Sequence, residues 1–151
     1  MLPPKDKSFI ISKYLKYCIK SGYIHDLRTI TEENTYFRKV VFTGEKEQIV
    51  VMDIKPKEDI GEELHKHVEQ TIFLVSGTAK VILNGNEYDF KAGQVLSVEP
   101  GTKHNVINVG KEPLKICTIY SPPNHVDGTV HKTKRESLKD EEDEKFGRLV
   151  R

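Results

Sequence analysis

Short runs in which apolar and polar residues alternate fill the chain from about residue 36 to residue 120. The apolar positions carry many β-branched and aromatic side chains, and a period of two is typical of strands that turn one face to a core. The pattern predicts eight strands, at residues 37–42, 48–54, 71–75, 79–83, 87–90, 95–98, 105–109 and 114–120.

Turn signals separate nearly all of these runs. The clearest is Asn84-Gly85, which lies between the runs 79–83 and 87–90 and predicts a tight hairpin. No helical period interrupts the runs. Short strands joined by tight turns therefore predict an all-β sandwich or barrel rather than alternating strands and helices.

The two ends of the chain follow other patterns. Residues 8–21 place apolar side chains three and four positions apart, with lysines between them and Gly22 available as a cap. This predicts an amphipathic helix, and we favour packing on its own barrel over docking to a partner. Beyond residue 120 a turn-rich segment leads into an almost entirely charged one, which predicts a mobile, solvated tail.

These changes divide the chain into three parts. We expect an N-terminal helical extension over residues 1–33, a β-barrel over 34–121, and a turn-rich, charged C-terminal tail over 122–151. A length of 151 residues with 36% hydrophobic content suits one domain with a real core, so a second domain is not expected.

Charge and cysteine content limit the function. Lys and Arg number 24 against 23 Asp and Glu, a net charge of +1, so no basic field favours nucleic acid or a membrane surface. A small-molecule ligand is the expected partner. Cys18 and Cys117 do not form a disulfide framework, and the apolar run 9–11 is too short for a membrane span or a signal peptide. We therefore expect a cytoplasmic protein.

Candidate chemistry is concentrated in two segments, residues 61–77 and 93–108. The first offers carboxylate, imidazole and amide groups beside a predicted strand. The second adds His104, shortly after the turn at Pro100-Gly101. These are the ligand types that a divalent metal takes in a pocket, so the segments predict two halves of a metal site in a small β-barrel.

Both segments resemble the paired motifs of the cupin superfamily, G-x5-H-x-H-x3/4-E-x6-G and G-x5-P-x-G-x2-H-x3-N. Counting six residues back from Gly77 places Gln70 at the position of the family's Glu, His65 at the second His and Glu63 at the first. The second motif places its His at His104. The resemblance implies a jelly-roll fold, the double-stranded β-helix, with a metal held by Glu63, His65, Gln70 and His104.

This ligand set is chemically reasonable. Glu63 and His65 are two positions apart, so on a strand both side chains point to the same face, and Gln70 comes from the next strand. Two imidazoles, one carboxylate and one amide oxygen suit Zn, Mn, Fe or Ni with positions left open. The set also keeps the single negative charge of a site with three His and one Glu.

Two neighbouring side chains compete with this assignment. His67 shares strand parity with His65, but only two residues separate it from Gln70, so we interpret it as a rim residue. Glu69 likewise competes with Gln70 for the role of metal ligand, and we favour Gln70 for the same reason of spacing. A vestigial site, with His65 and His104 as ordinary interior histidines, is the other alternative.

A narrower resemblance covers about residues 34–134. Residues 34–44, 60–63 and 119–134 are similar to small single-domain cupins described as mannose-6-phosphate isomerase-like. The resemblance implies a small, oxygen-rich substrate such as a sugar or sugar phosphate, acted on by a metal-dependent, isomerase-like enzyme. A binding module that holds metal and ligand without turnover is the alternative.

An isomerase needs a base for proton transfer and a cation for a phosphate. Tyr120, His125 and His131 are candidates for the base if residues 121–131 fold over the barrel mouth. We interpret the two histidines instead as braces for the turn. Arg38 and Lys103 are the candidate cations, and we interpret both as solvated surface charges.

Jelly rolls have exposed sheet edges, and this chain has in addition a surplus N-terminal segment. Together these two features predict a homodimer.

Overall fold

The computed structural model describes residues 18–19 and 21–150. The strands of this part are β1 Cys18–Ile19, β2 Gly22–Tyr23, β3 Arg38–Thr43, β4 Gln48–Ile54, β5 Glu63–Leu64, β6 Glu69–Ser76, β7 Thr78–Leu83, β8 Asn86–Lys91, β9 Val95–Val98, β10 Lys103–Asn108, β11 Leu114–Ser121 and β12 Val130–His131. Its helices are α1 Leu27–Glu32, α2 Lys134–Lys139 and α3 Glu141–Val150. Of the helices described, none combines the length and the apolar character that crossing a membrane demands.

Two antiparallel sheets form the barrel. One has six strands in the order β12-β3-β4-β11-β6-β9, and the other has four in the order β5-β10-β7-β8. Inward side chains of both sheets meet in one apolar cluster, with Met52 and Ile72 from the first and Val81 and Val106 from the second. The all-β prediction is confirmed, and the architecture is that of a jelly roll.

Alternating burial along the strands shows why the sequence pattern identified them. In β6 the side chains of Gln70, Ile72 and Leu74 are buried, whereas Glu69 is exposed. All eight predicted strands are present, two of them with the predicted ends and the others with ends shifted by at most two residues. The two-residue strands β5 and β12 were missed because a period of two has no meaning over so short a run.

The predicted hairpin at Asn84-Gly85 is also confirmed. Leu83 pairs with Asn86, and the two residues between them have φ angles of 47° and 84°. Positive φ at both central positions matches the twist of an antiparallel pair, and Asn and Gly adopt it at least cost.

The N-terminal prediction lies mostly outside the described residues. Within the range 8–21, Cys18–Ile19 is a strand paired with Gly22–Tyr23, so the predicted helix does not continue to Gly22. Helix α1 was not predicted. It begins after Asp26, whose side chain accepts a hydrogen bond from the Thr29 amide at 2.7 Å and caps the helix.

The C-terminal prediction of a solvated tail agrees with the exposure of most side chains in residues 132–150, but this segment is attached to the barrel rather than free of it. Strand β12 pairs with β3, and Asp143 of α3 is buried against His125, with 2.8 Å between Oδ2 and Nδ1. Residues 140–144 are all acidic, and this local charge does not show that one of them, Asp143, has a buried partner. That contact depends on folding the segment back over the barrel.

Gly77 provides a test of packing at the end of β6. Its φ is +102°, and a Cβ added there would lie 2.8 Å from Leu114 Cδ2 and 2.9 Å from the Pro113 carbonyl oxygen. Gly61 has a similar φ of +106° with nothing within 4 Å of the added Cβ. We therefore expect Gly77→Ala to lower the free energy of unfolding by about 2 kcal/mol more than Gly61→Ala, because only Gly77 adds overpacking to backbone strain.

Urea denaturation of both variants measures this difference. Equal losses of stability in the two variants would show that the contact with Pro113 and Leu114 relaxes without cost.

Candidate metal centre

Three potential metal ligands converge between the two sheets. Glu63 of β5 and His104 of β10 are register partners, and His65 follows directly after β5. Glu63 Oε2 is 3.2 Å from His65 Nε2 and 3.9 Å from His104 Nε2. One ligand atom from each residue lies within 4.8 Å of the others, so this group is able to hold a metal ion.

Backbone contacts hold the two sequence segments together at this point. The Gly101 amide donates a hydrogen bond to the His65 carbonyl oxygen at 2.7 Å. Gly101 has a φ of 82°, a conformation that glycine adopts readily. The turn at Pro100-Gly101 therefore brings His65 and His104 to the same end of the barrel.

The orientation of His104 is fixed by its own strand. Its Nδ1 lies 2.8 Å from the Thr102 carbonyl oxygen, which accepts only if Nδ1 carries the proton. Burial lowers the pKa of His104, although the hydrogen bond to Thr102 opposes this, so the neutral ring is favoured. Neutral His104 therefore presents an unprotonated Nε2 to the site, as metal-binding histidines do.

Gln70 faces the same space from the other sheet. Its Nε2 donates a hydrogen bond to Thr118 Oγ1 at 3.1 Å, and its Oε1 is 3.0 Å from His104 Nε2. An amide oxygen and an unprotonated imidazole nitrogen are both acceptors, so their approach calls for a cation between or beside them. Together with the nearby carboxylate of Glu63, these donors fit a divalent metal.

The two rival side chains lie elsewhere. His67 and Glu69 are exposed, whereas His65 and Gln70 are 2% and 1% exposed. Strand parity explains the difference between Glu69 and Gln70, because adjacent residues of β6 point to opposite faces of the sheet. The sequence preference for His65 and Gln70 over His67 and Glu69 agrees with this placement.

Glu63 is ionised over the whole physiological range. Burial alone would raise the pKa of this carboxyl group, but the hydrogen bond with His65 and the charge of Arg38 outweigh burial and lower the pKa to about 2. The centre therefore carries a permanent negative charge, which favours a cation. The Glu63 side chain is 16% exposed, so the site is reachable from solvent.

Aromatic rings connect the centre to the C-terminal segment. The ring of Tyr120 meets His65 edge-on at 6.1 Å between centroids, and it meets His125 in the same way at 5.1 Å. His125 is in turn held by Asp143, which also accepts a hydrogen bond from the Val126 amide at 2.8 Å. His125, Val126 and Asp143 therefore form a wall on the far side of Tyr120 from His65.

This wall is sensitive to acid. Burial and the charge of Arg38 lower the pKa of His125, and the hydrogen bond to Asp143 offsets them only in part. Burial would raise the pKa of Asp143, but the hydrogen bond from His125 lowers it overall. Both folded-state pKa values lie below the unfolded ones, so the unfolded chain binds more protons. Stability is therefore lost as the pH falls below about 6.5 and further below about 3.9.

Sequence reasoning misplaced one candidate cation. Arg38 is only 6% exposed and lies 3.8 Å from Glu63, so its interpretation as a solvated surface charge is wrong. Lys103 is exposed, as expected, and pairs with Glu62 at 3.0 Å. Arg38 shares strand parity with buried Val40, and that was the one signal in the sequence that could have placed it inside.

The two candidate bases in the C-terminal segment have bracing roles, as interpreted. His125 contacts Asp143, and His131 Nε2 lies 2.9 Å from Asp140 Oδ2. Tyr120 is fully buried beside the centre. Thr118, which orients Gln70, was not identified from the sequence because a threonine on a buried strand carries no local signal.

Comparison with known proteins identifies the domain. A family model described as a cupin domain matches residues 50–120. The crystal structure of BH2720 from Bacillus halodurans superposes with a TM-score of 0.76 at 32% sequence identity, over 78% of this chain and 93% of that one.

Sequence relatives give little functional information. The uncharacterized protein YrkC of Bacillus subtilis is 37% identical over 125 residues, which cover 77% of this chain and 66% of YrkC, a little under two thirds of its length. A mannose-1-phosphate guanylyltransferase from Salmonella montevideo is 31% identical over 78 residues, 52% of this chain and 17% of the enzyme.

Proposed function

Because this chain belongs to the cupin superfamily, we propose that it is a divalent-metal protein acting on a small, oxygen-rich substrate, with Glu63, His65, Gln70 and His104 as the metal ligands. The observation that carries the proposal is the convergence of acceptor atoms. His104 Nε2 lies 3.0 Å from Gln70 Oε1 and 3.9 Å from Glu63 Oε2, while its Nδ1 is held by Thr102.

Each of these side chains has a distinct task. Glu63 supplies the negative charge, and the two histidines and the amide oxygen of Gln70 supply neutral donors, which suits Zn, Mn, Fe or Ni. When bound, such a cation polarises a hydroxyl or carbonyl oxygen and lowers the pKa of coordinated water. Thr102 and Thr118 orient His104 and Gln70, and such outer partners strengthen metal sites.

A sugar or sugar phosphate is the substrate class that we favour. Support comes from the partial similarity to mannose-1-phosphate guanylyltransferase, which covers 52% of this chain and 17% of that enzyme. The buried ring of Tyr120 excludes water from one side. Isomerisation between aldose and ketose forms is the reaction that we propose for this substrate class, and binding without turnover is the alternative, because no base for proton transfer is assigned at the centre.

Metal content tests the first part of the proposal. We expect protein purified without added metal, or titrated afterwards with Zn, Mn, Fe(II) or Ni, to hold a stoichiometric divalent ion by inductively coupled plasma mass spectrometry. A chain that stays metal-free under both conditions contradicts the proposed centre.

An activity screen tests the second part. The metal-loaded protein is incubated with a panel of aldose and ketose phosphates, and we expect interconversion of at least one pair by NMR. Saturable binding without turnover would identify a binding module instead, and the absence of both would contradict the substrate class.

A further inference from the structure

Arg38 is a buried cation next to the proposed metal ligands. It lies on β3 of the six-stranded sheet and is 6% exposed. Its guanidinium faces the centre, because one of its terminal nitrogens is 3.8 Å from Glu63 Oε1. Buried arginines are normally held by several hydrogen bonds, since desolvating the charge without them is unfavourable.

Arg38 lacks such partners among the described residues. Its distance of 3.8 Å to Glu63 exceeds a hydrogen bond, which spans about 2.7–3.2 Å. Its Nε is buried and meets no acceptor in residues 21–150. The guanidinium carbon lies over the Phe37 ring, 5.4 Å from its centroid, which holds the planar group in place. Among the described contacts, its terminal nitrogens make no hydrogen bond and approach Glu63 at 3.8 Å.

The other nearby carboxylate does not meet this need. Asp143 Oδ2 accepts a hydrogen bond from His125, and its Oδ1 accepts one from the Val126 amide, each at 2.8 Å. The charge of Arg38 also helps to lower the pKa of Asp143. Arg38 is thus close enough to Asp143 to act on it through charge, with no direct ion pair between the two side chains within 4 Å among the described contacts.

The local charge balance favours an anion. Glu63 and Asp143 contribute two negative charges and Arg38 one positive charge, so the group carries −1. A divalent cation at the proposed ligands changes this to +1, and one anionic group then brings the site towards neutrality.

We propose that Arg38 binds the anionic oxygen group, a phosphate or a carboxylate, of the ligand that occupies the metal centre. The inference rests on the proposed function and narrows its substrate class to anions. The forked guanidinium suits two oxygens of one group, whereas the metal faces the uncharged oxygens of the same ligand.

Anion affinity of matched variants tests this assignment. Inorganic phosphate and acetate are titrated into metal-loaded wild type, Arg38→Met and the control Arg135→Met by isothermal titration calorimetry. Arg135 is exposed on α2, so its replacement removes the same charge from the surface. We expect Arg38→Met to weaken binding of at least one of the two anions about 10-fold or more, as for loss of charge-assisted hydrogen bonds, and Arg135→Met to bind like wild type.

The two probes distinguish the ligand class. A loss confined to phosphate indicates a phosphate ester, and a loss confined to acetate indicates a carboxylate. If Arg38→Met does not fold, Arg38→Lys replaces it, since lysine keeps the charge but not the fork and should weaken binding to a smaller extent. Wild-type affinity in the folded Arg38 variant, or no anion binding by metal-loaded wild type, overturns the inference.

Metal content measured on the same preparations separates the two proposals. Metal-loaded wild type whose anion affinity does not depend on Arg38 contradicts only the role of Arg38. Wild type that binds no metal contradicts the proposed function, and the titrations on that metal-free protein still show whether Arg38 contributes to anion binding.

Discussion

His104→Ala is expected to weaken binding of a divalent metal at least about 100-fold, because loss even of an outer partner of a metal ligand costs about 10–100-fold. The ring is held by Thr102 and directs Nε2 towards both Glu63 and Gln70. Alanine leaves a carboxylate, an amide oxygen and one imidazole, so the site loses one of its two nitrogen donors. Competition with a chromogenic chelator measures the affinity.

His67→Ala is the matched control for this variant. It removes the same chemical group, but His67 is exposed and lies outside the converging cluster. We expect its metal affinity to equal that of wild type. Equal losses in the two variants, or none in His104→Ala, would show that the ion is held elsewhere.

Asp143→Ala is expected to lower the free energy of unfolding by about 3 kcal/mol, because it leaves the buried His125 donor and the part-buried Val126 amide without their acceptor. The carboxylate accepts hydrogen bonds from His125 Nδ1 and from the Val126 amide, each at 2.8 Å. Both donors are in the wall that packs beside Tyr120. Urea denaturation followed by circular dichroism measures the loss.

Glu144→Ala is the control for this stability effect. Glu144 is the next residue of α3, is exposed, and pairs with Arg148 one helical turn away at 3.2 Å. An exposed pair of this kind contributes about 0.3–0.5 kcal/mol. A loss in Asp143→Ala no larger than that in Glu144→Ala would mean that α3 does not stabilise the barrel.

Much of the barrel could be predicted from local pattern. Alternation or a β-branched run identified the eight longer strands. Most of them have one face in the core and a more exposed opposite face, whereas β4 is buried on both faces over residues 50–54. The turn at Asn84-Gly85 followed from the positive φ angles that this dipeptide tolerates. Helices α2 and α3 escaped the same reasoning, because α2 buries no residue and the apolar positions of α3 are confined to its last five residues.

For the candidate centre too, the sequence predicted some features and missed others. Counting residues between glycines placed Glu63, His65, Gln70 and His104 as candidates, and strand parity already separated Gln70 from Glu69. No local rule could place the guanidinium of Arg38 beside Glu63, since the two residues are 25 positions apart and on different sheets. Their contact exists only because the sheets close face to face.

The sequence by itself determined the strands, the tight turn and the spacing of the potential ligands, because these depend on neighbours a few residues apart. Tertiary structure alone decided that Arg38 is buried, with no acceptor for its Nε among the described residues, and that Asp143 reaches His125. Burial and pairing of charges depend on which distant segments come into contact. The sequence around a charged residue does not indicate whether its side chain faces water or the core.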